Sequence, residues 1–339
     1  MTAPLLPPAF LPRLERLSLI SGRRVRGTAQ GKRRSGSFGA SLEFADYRQY
    51  SPGDDIRRFD WSVYSRTGRP FVRQYWDEQE LPISLYLDVS ASMDHRGAGG
   101  AAASSGQAAG LHREQSAAES STNGRALGGI IPQERGGSGD SKLQYAKRLA
   151  AAVGYIALAG SDRVQAYLFH SKLEASLPPL RSKAAAVKLF SFIQSANAGG
   201  AGNMASALGS AQSMPRQPGM AWIFSDLWLE GGLEELKQSL EMLQAARQEI
   251  VLVHILSREE LNPRLSGDLR LIDIELGTGK EVAITGKILE KYMAALERYT
   301  EGISRYCNER GIRYVMAPCD QPLETGIFET LRKTGAIGV

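Results

Sequence analysis

An aspartate that closes an apolar run, followed by hydroxyl residues two and four positions later, forms a set of oxygen donors. Asp88-Val89-Ser90-Ala91-Ser92 is such a set, directly after Ile83-Ser84-Leu85-Tyr86-Leu87. Side chains at i, i+2 and i+4 on a loop leaving a strand can converge on one hard cation, because Mg²⁺ takes oxygen ligands in octahedral geometry and keeps several waters. Asp226 ends a second apolar run, Trp222-Ile223-Phe224-Ser225. If the two runs are adjacent parallel strands, their carboxyl ends meet. From spacing alone a second reading stays open, in which Ser90 and Ser92 cap a turn or helix by accepting backbone N–H groups.

Another concentration of charge lies upstream. Asp54, Asp55 and Asp60 are interleaved with Arg48, Arg57, Arg58, Arg66 and Arg73. Adjacent carboxylates can bind metal or share a proton. With this many guanidinium groups nearby, an ion-pair network tying the segment to the main domain is the more economical expectation. Tyr50, Trp61, Tyr64, Tyr75 and Trp76 are expected to pack around it.

Several enzymatic signatures are missing from the sequence. Ser90 stands where an Asp-x-Asp phosphatase needs its second acid, and Val89 and Ala91 replace the glycines of a serine-hydrolase elbow. His95, His112, His170 and His254 have no metal-ligand spacing, and His254 sits in an apolar strand as a core residue. There is no Gly-x-x-x-x-Gly-Lys-Ser/Thr phosphate loop. The chain is therefore expected not to be an enzyme and to have no small-molecule substrate. The rival reading is a metal-dependent hydrolase in which Asp88 and Asp226 hold the ion and a bound water attacks.

The elements that would position these groups follow a simple rhythm. After Pro82, strand patterns at Arg163 to Phe169, Met220 to Ser225, Ile250 to Leu256 and Ile312 to Ala317 alternate with helical patterns. The helical stretches are Leu143 to Ala159, Lys183 to Ser195, Met204 to Gln212, Leu233 to Ala246 and Lys287 to Arg310. Such alternation predicts an α/β fold with a mostly parallel sheet and helices on both faces. Residues 267–285 read as an edge hairpin turning at Gly277-Thr278-Gly279. Three regions result: a basic arm at 1–34, a strand-rich segment at 35–80 and the α/β domain at 81–339. From His95 to Ser141, 27 of 47 residues are Gly, Ala or Ser and none is aromatic, which predicts a flexible insertion beside the Asp88 loop.

At 339 residues and 42% hydrophobic, the chain is long enough for a substantial core, and its glycines show no collagen period. The apolar run Leu149 to Gly160 is shorter than a bilayer span, and the start lacks the features of a secretion signal. Two cysteines, Cys307 and Cys319, give no disulfide framework. These features together predict a cytoplasmic protein. The net charge of +5 lies wholly in the first quarter, where residues 1–80 hold 14 Lys+Arg against 9 Asp+Glu. The basic run Arg13 to Arg34 could attract phosphate, nucleic acid or an acidic partner surface, but it lacks interleaved aromatics and a solvated basic arm is the simpler expectation.

Asp88-x-Ser90-x-Ser92 with Asp226 resembles the metal-ion-dependent adhesion site of von Willebrand factor type A domains. The block Arg48-Gln49-Tyr50-Ser51-Pro52-Gly53-Asp54-Asp55-Ile56-Arg57-Arg58-Phe59-Asp60-Trp61, with Ser65-Arg66 and Val72-Arg73 after it, resembles the signature of the bacterial family catalogued as domain of unknown function 58. The similarity runs from about Gly36 to near the carboxyl end and includes Gly267-Asp268-Leu269 and Cys307 with Gly311. Many relatives begin with two transmembrane helices, whereas this chain resembles the shorter branch. The resemblance implies a type A fold and a binding or assembly role beside a MoxR-type AAA+ ATPase. It also implies a divalent cation held by Asp88, Ser90 and Ser92, with Asp226 helping through water and an acid of the partner filling the open position. One departure weakens that site. Gly202, in Gly199-Gly200-Ala201-Gly202-Asn203-Met204, falls where the family's threonine ligand would stand. Asn203 could lean in or cap the helix that begins at Met204, so weak or absent metal is expected.

Overall fold

The structure is a computed structural model that describes residues 4–22, 34–78, 80–94, 130–131, 141–263, 267–273, 279–284 and 286–338. Its centre is a six-stranded sheet whose strands, numbered along the chain, are β1 (Pro82–Asp88), β2 (Arg163–Phe169), β3 (Leu173–Leu180), β4 (Gly219–Ser225), β5 (Gln248–Leu256) and β6 (Arg313–Pro318). Their spatial order is β6-β5-β4-β1-β2-β3. Every pair is parallel except β2–β3 at one edge. β3 carries Pro178 and Pro179, which an edge strand tolerates because its outer N–H groups need no ladder partner.

Between the strands run α1 (Lys142–Ala159), α2 (Ala186–Ser195), α3 (Met204–Leu208), α4 (Gly232–Ala245), α5 (Arg258–Leu261) and α6 (Gly286–Arg310). The period-two alternation of the strands divides the core. Ile83, Leu85, Leu87, Met220, Trp222 and Phe224 point into one apolar layer with α1 and α2, while Tyr86, Ala221, Ile223, Ile250 and Leu252 face the other with α3, α4 and α6. α1 is buried along nearly its whole length, and its alanines together with Gly154 let α2 approach closely. This mixed α/β architecture with a mostly parallel sheet is the one the alternation predicts.

Other parts depart from the sequence-based expectation. The first described residues do not stand off as a basic arm. Leu5, Leu6, Leu14, Leu17 and Leu19 are buried in the α1 layer, and Ser18–Leu19 pairs antiparallel with Ile337–Gly338 near the carboxyl end. The basic residues Arg23 to Arg33 lie outside the described residues. Strands Gly267–Asp273 and Gly279–Ile284 do form an antiparallel pair, but they join Ile130–Ile131 in a separate three-stranded sheet and do not edge the central one. The expected flexible insertion lies outside the described residues, apart from Ile130, Ile131 and Ser141. The upstream segment folds as a bulged antiparallel pair, Arg34–Gln49 with Phe71–Glu78, bracketing the short helix Trp61–Thr67.

Its charges sort into separate local contacts. Arg48 Nη2 meets Asp54 Oδ1 at 2.6 Å, and Arg73 Nε meets Asp60 Oδ2 at 2.7 Å. Asp60 also caps Trp61–Thr67 by accepting the Ser62 and Val63 N–H groups, while Asp55 accepts from Arg57 N. The Arg73 guanidinium, with the cap and Tyr47 behind it, holds the Asp60 carboxyl well below the usual carboxylate range. Arg66 donates to the Ser62 carbonyl. Among the described residues Arg57 and Arg66 meet no carboxylate. These two ion pairs and two caps are local contacts. Two contacts of opposite sign and short sequence separation satisfy the acids locally, so the more distant arginines are not required. Trp61 is 64% exposed and packs at a tilt against Phe59 rather than burying itself.

Candidate functional site

From β1 the chain moves outward to β2 and β3, then returns to β4 on the other side of β1. The sheet therefore has its topological switch point between β1 and β4. In open α/β sheets ligands bind in the crevice outside the carboxyl ends of the strands at that point. Asp88 ends β1 and Asp226 directly follows β4, whose Phe224 is in register with Leu87. Both carboxylates thus sit at one rim because two apolar strands pair in parallel.

At the rim, Asp88 Oδ1 accepts from Ser90 N at 2.9 Å and Oδ2 accepts from Ser225 Oγ at 2.5 Å. The Ser90 and Ser92 hydroxyls lie 3.1 Å apart at the start of the 3₁₀ turn Ala91–Asp94. The loop before α3 closes over this turn, with Gly199 N donating to Val89 O and Ala91 N donating to Gly200 O. Gly200 has a φ of +77° and a Cβ there would come within 3.1 Å of the His170 ring, two reasons for a residue without a side chain. Asn203 belongs to α3. Its side chain accepts from Ser206 N as the helix cap, while Glu235 receives the Met204 and Gly231 N–H groups. Thus the structure gathers Asp88, Ser90, Ser92 and Asp226, and it commits the side-chain oxygen of Asn203 to the backbone of its own helix.

Sequence reasoning missed the group that dominates the electrostatics. Lys142, the first residue of α1, is fully buried, and its Nζ lies 2.6 Å from Asp226 Oδ2 and 2.7 Å from Glu260 Oε1. Burial alone would lower the ammonium's pKa, but the two carboxylates outweigh it and hold the group well above the usual lysine range. Asp226 Oδ1 accepts from Trp228 N. Glu260 also accepts from Trp228 Nε1 through Oε1, and from Ser257 N through Oε2 as half of a capping box at α5. The Asp226 carbonyl is held at 2.9 Å from Nε2 of His254, whose imidazole burial pushes down to about 4 and keeps neutral. Ser257-x-x-Glu260 was legible as a helix start. Nothing in the local sequence distinguishes Lys142 from any lysine at the head of an amphipathic helix.

Burial, and after it the charge of Asp226, push the Asp88 carboxyl up to about 6. The folded chain then retains a proton that the unfolded chain releases near the ordinary aspartate value. This contribution to stability is complete at low pH and is lost as pH rises toward 6. Asp88→Asn removes the titration, so its stability relative to the wild type should rise by about 2 kcal/mol between pH 4 and pH 7, at ~1.4 kcal/mol per pKa unit. Chemical denaturation of both proteins at the two pH values measures this. A difference that is flat with pH would contradict the assignment.

As arranged, each carboxylate oxygen of Asp88 and Asp226 already has a donor. The Lys142 ammonium already neutralises part of the carboxylate charge that would draw a divalent ion, and its own charge opposes one. The residues present therefore do not fit a resident divalent ion in this arrangement. Among the described residues no group of three or more His, Cys, Asp and Glu side chains forms a metal cluster.

Comparison with known proteins adds a family. The family model described as "Protein of unknown function DUF58" matches residues 46–104 and 126–301, well over half of the chain. Uncharacterized protein Mb1516 of Mycobacterium bovis and uncharacterized protein Rv1480 of Mycobacterium tuberculosis are each 24% identical over 335 residues, covering 97% of this chain and 92% of theirs. Among solved structures, the conserved hypothetical protein BatB from Bacteroides thetaiotaomicron aligns with a TM-score of 0.38 at 16% identity. An aerotolerance-related membrane protein from Bacteroides fragilis, carrying multiple mutations to serine, aligns with 0.37 at 14%. Each alignment covers 75% of this chain and 98% of the other. Among the described residues no helix is long and apolar enough to cross a membrane.

Proposed function

This chain belongs to the DUF58 family, a family of unknown function, and from that premise and the rim chemistry we propose that it is a non-enzymatic protein–protein interaction module acting in the cytoplasm. The partner docks over the carboxyl ends of β1 and β4. The observation that carries this reading is the convergence of Asp88, Ser90, Ser92 and Asp226 at the switch point of the sheet, where a preformed polar rim is flanked by the Gly199–Asn203 loop. The finer reading is a von Willebrand factor type A-like domain. It is supported by the Asp-x-Ser-x-Ser turn after β1 and the second aspartate after β4, with helices on both faces of a mostly parallel sheet.

A MoxR-type AAA+ ATPase is the partner that the family resemblance suggests, and the proposed role is that of its adaptor. The test uses the purified full-length chain and the purified ATPase from the same organism in a pull-down. Wild-type chain is expected to retain the ATPase. Ser90→Ala/Ser92→Ala should lower recovery at least tenfold while the chain still melts cooperatively, because this buried hydroxyl pair holds the turn that shapes the rim surface the partner meets. Failure to recover the ATPase sinks the adaptor role. Equal recovery by the variant moves the contact away from the rim.

A further inference from the structure

We propose that the ammonium of Lys142 is the resident cation of this rim, and that the oxygen set at the switch point works without a divalent ion. Lysine at the first position of a helix points its charge into the positive end of the helix dipole, an unfavourable placement that needs compensation. Here it is also sealed from solvent, which is costly for a charge without partners. Both costs are met by Asp226, directly after β4, and Glu260, in α5, at 2.6 and 2.7 Å. Ser141 caps the helix by accepting from Gln144 N, which fixes where Lys142 enters the rim.

The remaining donors complete the shell. Asp88 is held by Ser90 N and Ser225 Oγ, and Trp228 donates to both Asp226 and Glu260, so each carboxylate has a donor other than a metal. The inference deepens the interaction reading in one respect: Asp88, Ser90, Ser92 and Asp226 are buried, so the partner docks on the surface above them with no carboxylate-to-metal bond, and association does not depend on divalent ions. That clause rests on the proposed function. The cation assignment does not, and the chain alone tests it.

The experiment is calorimetric titration of the metal-stripped full-length chain with MgCl₂ and with MnCl₂, paired with melting curves in either salt and in EDTA. The wild-type chain is expected to bind neither ion more tightly than ~1 mM and to melt at one temperature in all three conditions. Lys142→Met is expected to gain at least about tenfold in Mn²⁺ affinity, since the oxygens lose their internal cation. Where that variant does not fold, Lys142→Met/Glu260→Gln removes one charge of each sign and should show the same gain. Stoichiometric micromolar binding by the wild-type chain that Asp88→Asn or Asp226→Asn abolishes overturns the proposal, as does a folded variant that binds Mn²⁺ no better than wild type. A partner absent from every pull-down would leave these titrations unaffected, so the two failures are separable.

Discussion

A chain lacking residues 1–22 is expected not to fold. Five leucines of this stretch, Leu5, Leu6, Leu14, Leu17 and Leu19, are each no more than 8% exposed and sit in the α1 layer. At ~1.5–3 kcal/mol per buried leucine the group contributes roughly 8–15 kcal/mol. Residual burial in the unfolded chain trims this by ~10–40%, and the remainder still compares with the whole stability of a typical domain, ~5–15 kcal/mol. Polar contacts reinforce the packing. Glu15 accepts from Tyr155 Oη at 2.7 Å and pairs with Lys183, Arg13 lies over the Phe328 ring, and Ser21 with Gly22 donates to Glu249 at the start of β5. Circular dichroism and a thermal melt of the truncated chain measure the loss. A cooperative melt within ~5 °C of full length would show that the segment is dispensable. The result also determines how the phosphate or nucleic-acid alternative must be examined. Truncation would confound unfolding with lost charge, so Arg23, Arg24, Arg26, Lys32, Arg33 and Arg34 should be changed to Gln in the intact chain and the salt dependence of binding measured.

The contrast between that segment and the strands shows what a sequence makes visible. β1, β2, β4 and β5 are runs of apolar residues buried on both faces, so composition alone reveals them, and their alternation with amphipathic helices reveals the parallel sheet. The Asp88–Asp226 rim was legible for the same reason, because a strand-terminal acid inherits its place from the strand. Leu5 to Leu19 carried no such signal. Prolines and arginines break their periodicity, and their burial depends on a carboxyl-terminal strand more than 300 residues away in sequence. β3 was hidden by Pro178-Pro179, which only its edge position permits. Among the aspartates and arginines between 48 and 73, local capping satisfies Asp55 and part of Asp60, which costs less entropy than long-range pairing would. Lys142, Trp228 and Glu260 are scattered over more than 110 residues, and only the crossovers of the fold bring them together.

Lys142→Met should be among the most destabilising single substitutions in the chain. Removing one member of a buried ion pair leaves the other charge without compensation, which costs about 3–5 kcal/mol, and here two carboxylates, Asp226 and Glu260, are left facing each other. At ~2–3 °C per kcal/mol for a domain of this size, the midpoint should fall by roughly 6–15 °C. The loss comes from stranded charge and not from lost volume, because methionine fills nearly the same space. Neutralising the partners in the same chain, as Lys142→Met/Asp226→Asn/Glu260→Gln, should therefore recover much of the loss, although the lysine is still missing. Thermal and urea denaturation of the two variants against wild type distinguish the cases. Equal destabilisation in both would mean that the hydrogen bonds to Trp228 and the α5 cap, and not the ammonium, hold the rim together. Recovery in the triple variant would show that the cluster is governed by charge balance, the same property that makes the rim a poor host for a second cation.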